Sequence, residues 1–125
     1  MTETIYGQVL AKANHYQAVP DGQGGRRIIK DKALREYEQC FDRQCLLYRD
    51  KRISEPFTLT IDVWHSSERY DLDNSLKTVL DCLQYAGAIA DDKLCYSIFA
   101  TKHVDKYRPR IVYSISPINH QASLF

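Results

Sequence analysis

Apolar residues recur along this chain with two different periods. From Lys32 to Arg49, Leu34, Tyr37, Phe41, Cys45 and Tyr48 lie three or four apart, which places them on one helix face. Phe57-Thr58-Leu59-Thr60-Ile61-Asp62-Val63-Trp64 alternates instead, so Phe57, Leu59, Ile61 and Val63 share the inner face of a half-buried strand. A second helical stripe, Leu76, Val79, Leu80, Leu83 and Ala86, follows the polar stretch from His65 and meets a natural stop at Gly87. Ile5 to Leu10 is short and rich in β-formers and predicts a first strand. Leu94 to Ala100 predicts another, with Arg110 to Ile115 as its partner; Pro109 lacks an N–H and belongs at the start or edge of that last strand. Between Ala11 and Arg27, Asn14, Pro20, Asp21, Gly22, Gly24 and Gly25 break every period, so residues 11–30 are expected to form a long mobile loop. The order strand, helix, strand, helix, strand, strand predicts a small α+β (mixed α/β) domain, a mixed sheet of about four strands packed with two helices. No repeat, low-complexity tract or linker divides it, and residues 1–125 are expected to form one domain.

Composition narrows the class without naming a chemistry. The chain has 125 residues, 44% hydrophobic and 26% charged. Folding a chain of this size buries roughly two thirds of its surface, enough for one core without metal or disulfide support. No apolar run approaches the ~18 residues of a membrane span, and the opening residues lack a basic-then-apolar signal pattern, so a cytoplasmic protein with no membrane partner is expected. Cys40, Cys45, Cys82 and Cys95 form neither a C-x-x-C half-site nor a disulfide framework and read as reduced core or boundary thiols. Seventeen Lys+Arg against sixteen Asp+Glu give a net charge of +1, so total charge is silent about nucleic acid. Local clustering is not: Arg26, Arg27, Lys30 and Lys32 end the glycine-rich segment, where they either sit solvated or drape over an anionic ligand.

The candidate chemistry lies between Asp71 and Asp92. Asp71 and Asp73 are two apart, so on an extended approach to the second helix their carboxylates leave the same side of the backbone. Asp73 is placed to cap that helix, with Asn74 in its first turn, but a cap uses one acid and leaves the other facing like charge. A hard divalent cation between them relieves that repulsion. Lys77 and Asp81 follow on one helix face; alone they form an ordinary exposed ion pair, but beside paired acids an ammonium can neutralise a phosphate or a leaving oxygen. Asp91 and Asp92 are either a polar turn or, if the strand from Leu94 returns beside the strand ending at Trp64, the source of a third carboxylate. Oxygen-only ligands suit Mg²⁺ or Mn²⁺ and disfavour zinc. An EF-hand is excluded by Leu76 and Cys82 where glycine and glutamate are needed. A bare D-x-D also occurs in metal-dependent sugar-nucleotide enzymes. His15, His65, His103 and His120 are dispersed without ligand spacing and read as surface or boundary residues, and no G-x-S-x-G or phosphate-loop motif is present.

Asp71-Leu72-Asp73-Asn74, Lys77, Asp81, Gly87 and Asp91-Asp92, at these offsets, closely resemble the RusA family of Holliday junction resolvases. The resemblance implies a dimeric, Mg²⁺-dependent endonuclease, often encoded by phages or prophages, that cuts four-way DNA junctions in recombination and repair; Mn²⁺ is expected to substitute. Carried over position by position, Asp71, Asp73 and Asp92 become the metal-binding acids and Lys77 the catalytic lysine, with Asn74, Asp81 and Asp91 as supporting residues. Ser66-Ser67-Glu68-Arg69-Tyr70 departs from the family pattern, offering only Arg69 where members carry several basic residues before the first acid. Lys12 and Asn14 echo the family only loosely. Backbone contacts to DNA are expected from Arg26, Arg27, Lys30, Lys32, Arg69, Lys102, Lys106, Arg108 and Arg110. The rival readings are a nuclease for other branched DNA, such as flaps or forks, and a catalytically silent DNA-binding protein whose acids serve as caps and salt-bridge partners.

Overall fold

In the computed structural model, which describes residues 1–118, ten elements follow one another. They are β1 (Glu3–Tyr6), a 3-10 turn (Lys12–Asn14), β2 (Tyr16–Pro20), β3 (Arg26–Lys30), α1 (Lys32–Gln44), β4 (Phe57–His65), α2 (Leu72–Tyr85), a second 3-10 turn (Asp92–Leu94), β5 (Cys95–Val104) and β6 (Arg110–Pro117). Four strands form a mixed sheet in the order β1-β6-β4-β5, and β2 pairs with β3 in a separate antiparallel hairpin. The fold is α+β, as the hydrophobic periods imply. His120 lies outside the described residues.

The alternation of β4 is obeyed residue by residue: Phe57, Leu59, Ile61 and Val63 are buried, and Ile5, Ile111, Tyr113 and Ile115 extend that inner face across β1 and β6. Leu34, Tyr37 and Phe41 of α1 and Val79, Cys82 and Leu83 of α2 close over it. Asp31 starts α1 by accepting the Leu34 N–H at 2.9 Å. The end of α2 is a Schellman motif, in which Gly87 at φ +79° lets its own N–H reach the Gln84 carbonyl and the Ala88 N–H reach that of Leu83. All four cysteines are free.

Several expectations are corrected. Residues 11–30 are not an open loop: their centre folds as the β2–β3 hairpin, and Asp21 accepts the Gln23 and Gly25 N–H groups to make its tip. The alternation there is too short, and both faces too exposed, for a hydrophobic period to reveal it. β6 is not the partner of β5. It pairs with β1 and β4, while β5 runs parallel to β4 after crossing over through α2. β1 ends at Tyr6 rather than Leu10, because Gly7 turns at φ +124° and sends Gln8 to Leu10 toward α2. The Leu10 carbonyl accepts the Thr78 hydroxyl at 2.6 Å there. Helix α1 stops at Gln44 instead of continuing to Arg49, because the Leu46 and Leu47 N–H groups are taken by the Glu3 carboxylate at 2.9 and 2.8 Å.

Candidate active site

The parallel β4–α2–β5 unit places Asp71 and Asp73 where α2 starts, beyond the His65 end of β4, and Asp91 and Asp92 where β5 begins, beside Phe57 at the other end of that strand; α2 runs between the two pairs. Asp71 occupies the N-cap position of α2 in extended conformation, yet its side chain makes no capping bond; it accepts from the Asn74 amide at 3.2 Å. Asp73 stands inside the first turn, not at the cap as expected, and its carboxylate accepts the N–H of Asn74 at 2.9 Å. Both acids are exposed. Capping therefore consumes nothing of Asp71 and one oxygen of Asp73, and the amino end of α2 supplies positive potential to both.

One and two turns further along, Lys77 and Asp81 face the second 3-10 turn. The Lys77 ammonium lies 2.6 Å from Asp92 and 3.3 Å from Asp81. The pairing with Asp92, then that with Asp81, raises the Lys77 pKa, and Lys77 in turn lowers that of Asp92. Asp92 is held from behind as well, because its N–H donates to the Gln84 side chain at 3.0 Å. Asp91 instead caps the turn by accepting the Lys93 N–H. Asp81 also binds Lys12 at 2.5 Å, a contact across 69 positions that raises the Lys12 pKa. Sequence reasoning missed Lys12: only the loose echo of Lys12 and Asn14 hinted at it, and nothing local marks which acid a lysine will meet.

The structure thus joins Lys12, Lys77, Asp81 and Asp92 in one ion network and holds Asp71 beside Asn74. Among the described residues it does not gather three acid, histidine or cysteine side chains closely enough to enclose an ion. The donors are oxygen-only all the same, which fits a hard cation bound through few carboxylates and several waters.

His65 was also misjudged. Expected near the surface, it is fully buried at the end of β4, with its ring stacked 5.2 Å from Tyr70. Burial, reinforced by Lys102, lowers its pKa. Its contribution to stability is complete above the unfolded value of about 6.5 and is lost as pH falls through the lower folded value. Chemical denaturation across that range is expected to show stability falling with acidification, and the His65→Gln variant a shallower fall.

The cationic candidates divide by what they already bind. Lys30 pairs with Glu38 at 2.8 Å, Lys102 donates to the Glu68 carbonyl at 2.6 Å, and Arg110 bonds Asp105 at 3.0 Å while lying over Trp64. Lys32 reaches Glu36 only at 3.8 Å and is exposed. Arg26 and Arg27 stand exposed on the hairpin. Arg69, Lys106 and Arg108 lie over the rings of Tyr70, Tyr107 and Tyr6. Among the described residues, none of these last five forms an ion pair.

Residues 7–116 match the family model described as endodeoxyribonuclease RusA. The chain belongs to the RusA family. The matched span runs from the turn after β1 to the last residues of β6 and so includes every element of the site just described. Crossover junction endodeoxyribonuclease RusA of Aquifex aeolicus (strain VF5) is 29% identical over 68 residues, 54% of this chain and 52% of that protein. The similarity therefore spans about half the length of that RusA relative. No helix among the described residues is long and apolar enough to cross a membrane.

Proposed function

We propose that this RusA-family chain is a divalent-metal-dependent endonuclease that resolves four-way DNA junctions by paired phosphodiester hydrolysis. The observation that carries this reading is the state of the motif acids: at the start of α2 the exposed Asp71 carboxylate makes no capping bond and the exposed Asp73 carboxylate spends only one oxygen on a first-turn N–H, and Lys77 faces Asp92 from the same helix. Asp71, Asp73 and Asp92 would hold Mg²⁺, or Mn²⁺ in its place. When bound, the cation polarises the scissile phosphate and makes its water a better nucleophile. Lys77 does the remaining electrostatic work. Held beside Asp92 and Asp81, its ammonium keeps its charge and would donate to a phosphate oxygen as negative charge develops. Asp81 would hold it near the site. Asn74 orients Asp71, and Asp91 shapes the turn that presents Asp92.

A junction with two-fold symmetry calls for two such sites, and a homodimer supplies them. The β2–β3 hairpin would add a further contact with DNA. A two-stranded ribbon fits the major groove, and Arg26 and Arg27, pointing to opposite faces of β3, can reach the phosphates on either side. Replacing both by Ala is expected to weaken junction binding without regard to sequence. It should also reduce the slope of log K against log salt by about 2, since each phosphate that is no longer neutralised takes away roughly 0.9. An unchanged salt slope in a filter-binding titration would remove the hairpin from the interface.

Competition among a four-way junction, a flap, a fork and linear duplex tests the substrate. Preferential cleavage of the junction is expected; equal cutting of flaps or forks would assign a broader branched-DNA nuclease.

A further inference from the structure

Behind the acids runs a chain of hydrogen bonds with a single permitted direction. The Ser66 N–H can only donate, and it donates to the side-chain oxygen of Gln8 at 2.7 Å. That fixes the Gln8 amide: its nitrogen faces the Val9 carbonyl and His65 Nδ1, both at 2.8 Å. Nδ1 must therefore accept, and the ring proton of the neutral imidazole sits on Nε2. Nε2 faces the Ser75 hydroxyl at 3.3 Å, and that hydroxyl donates to the main-chain carbonyl of Asp71 at 3.0 Å. His65 and Ser75 are both buried, so water does not compete for these groups. The charges acting on the ring are Lys102 on β5 and Asp71 at the start of α2; its hydrogen-bond and stacking neighbours, Gln8, Ser75 and Tyr70, carry none.

The chain ends on the residue whose placement matters most. With no capping bond of its own, the Asp71 side chain is located by Asn74 and by its backbone, and Ser75 grips that backbone. We propose that His65, in its Nε2–H form, is a positioning residue for Asp71, acting through Ser75 at the first turn of α2. This rests on the reading of Asp71 as a metal ligand. His65 touches neither substrate nor metal. It belongs to the outer layer that sets how ligands point, where substitutions typically cost about 10–100-fold in metal affinity.

The test uses the full chain with Mn²⁺ alone as probe, by calorimetry, and the backbone amide spectrum. His65→Phe keeps the stack on Tyr70 but removes both ring nitrogens, whereas His65→Gln keeps a donor where Nε2 stands. His65→Phe and Ser75→Ala are each expected to weaken Mn²⁺ binding about 10-fold or more and to move the amide signals of Asp71 to Asn74, with His65→Gln within about 3-fold of wild type. Folding of each variant is checked by its unfolding midpoint. Wild-type Mn²⁺ affinity in a folded His65→Phe or Ser75→Ala protein would overturn the proposal, as would ring nitrogen shifts showing the proton on Nδ1. Asp71→Asn separates the two readings. If it leaves Mn²⁺ binding unchanged, the metal assignment fails; the positioning role then stands on the Asp71 to Asn74 signals, displaced by His65→Phe and restored by His65→Gln, and unmoved signals would refute it.

Discussion

Asp73→Asn is expected to reduce metal-dependent cleavage by more than the roughly 10–100-fold typical of substitutions outside a metal's own ligands, and to leave the fold intact. The intact fold follows from the surroundings of the side chain. Asp73 is exposed in the first turn of α2, and its carboxylate accepts the N–H of the next residue, which an Asn side-chain oxygen can also do. Losing a negative charge at a helix amino end costs about 0.3–1 kcal/mol, a small part of a typical domain stability of about 5–15 kcal/mol. A large loss of rate with an unfolding midpoint close to wild type would place the carboxylate in the chemistry. Cleavage at the wild-type rate would return it to a structural role and sink the proposed mechanism.

Glu3→Ala is expected to produce the largest loss of stability, about 3–5 kcal/mol, since it strands the buried Tyr113 hydroxyl and two part-buried main-chain N–H groups at once. Glu3 is buried, and its two oxygens accept from the Tyr113 hydroxyl at 2.6 Å and from the Leu46 and Leu47 N–H groups. The same bonds stop α1 at Gln44 and tie β1 to the segment that follows it. Glu3→Gln should recover part of the loss, because an amide oxygen still accepts but the charge assistance is gone. Urea denaturation of the two variants measures both effects. A loss below about 1 kcal/mol for Glu3→Ala would mean that water replaces the carboxylate and that the region is not sealed.

The elements with a strong hydrophobic period were legible from residues alone: β4, α2 and the first three turns of α1 lie where the spacing puts them. The stop at Gly87 and the i,i+4 pairing of Lys77 with Asp81 were also legible, since their offsets are local. What failed was long-range. The β2–β3 hairpin has no buried face to create a pattern. The pairing of β6 with β1 and β4 depends on how β5 crosses over, not on either strand's composition. The end of α1 was set by Glu3, about forty positions earlier. Lys12 beside Asp81 and Gln8 beside His65 are of the same kind, polar contacts between distant segments that no local spacing announces. His65 looked like a boundary histidine because its neighbours Ser66 and Ser67 are polar; the end of β4 nevertheless sits under Tyr70 and α2.

The most direct test is incubation of the purified chain with a mobile four-way junction and a matched linear duplex, in Mg²⁺ or EDTA, beside the Asp71→Asn variant. Strand cuts are read on a denaturing gel. Paired, symmetric nicks confined to the junction, absent in EDTA and lost in Asp71→Asn, are the expected result. A junction that is bound but left whole in Mg²⁺, or is cut equally well by Asp71→Asn, would contradict a metal-dependent resolvase built on these acids.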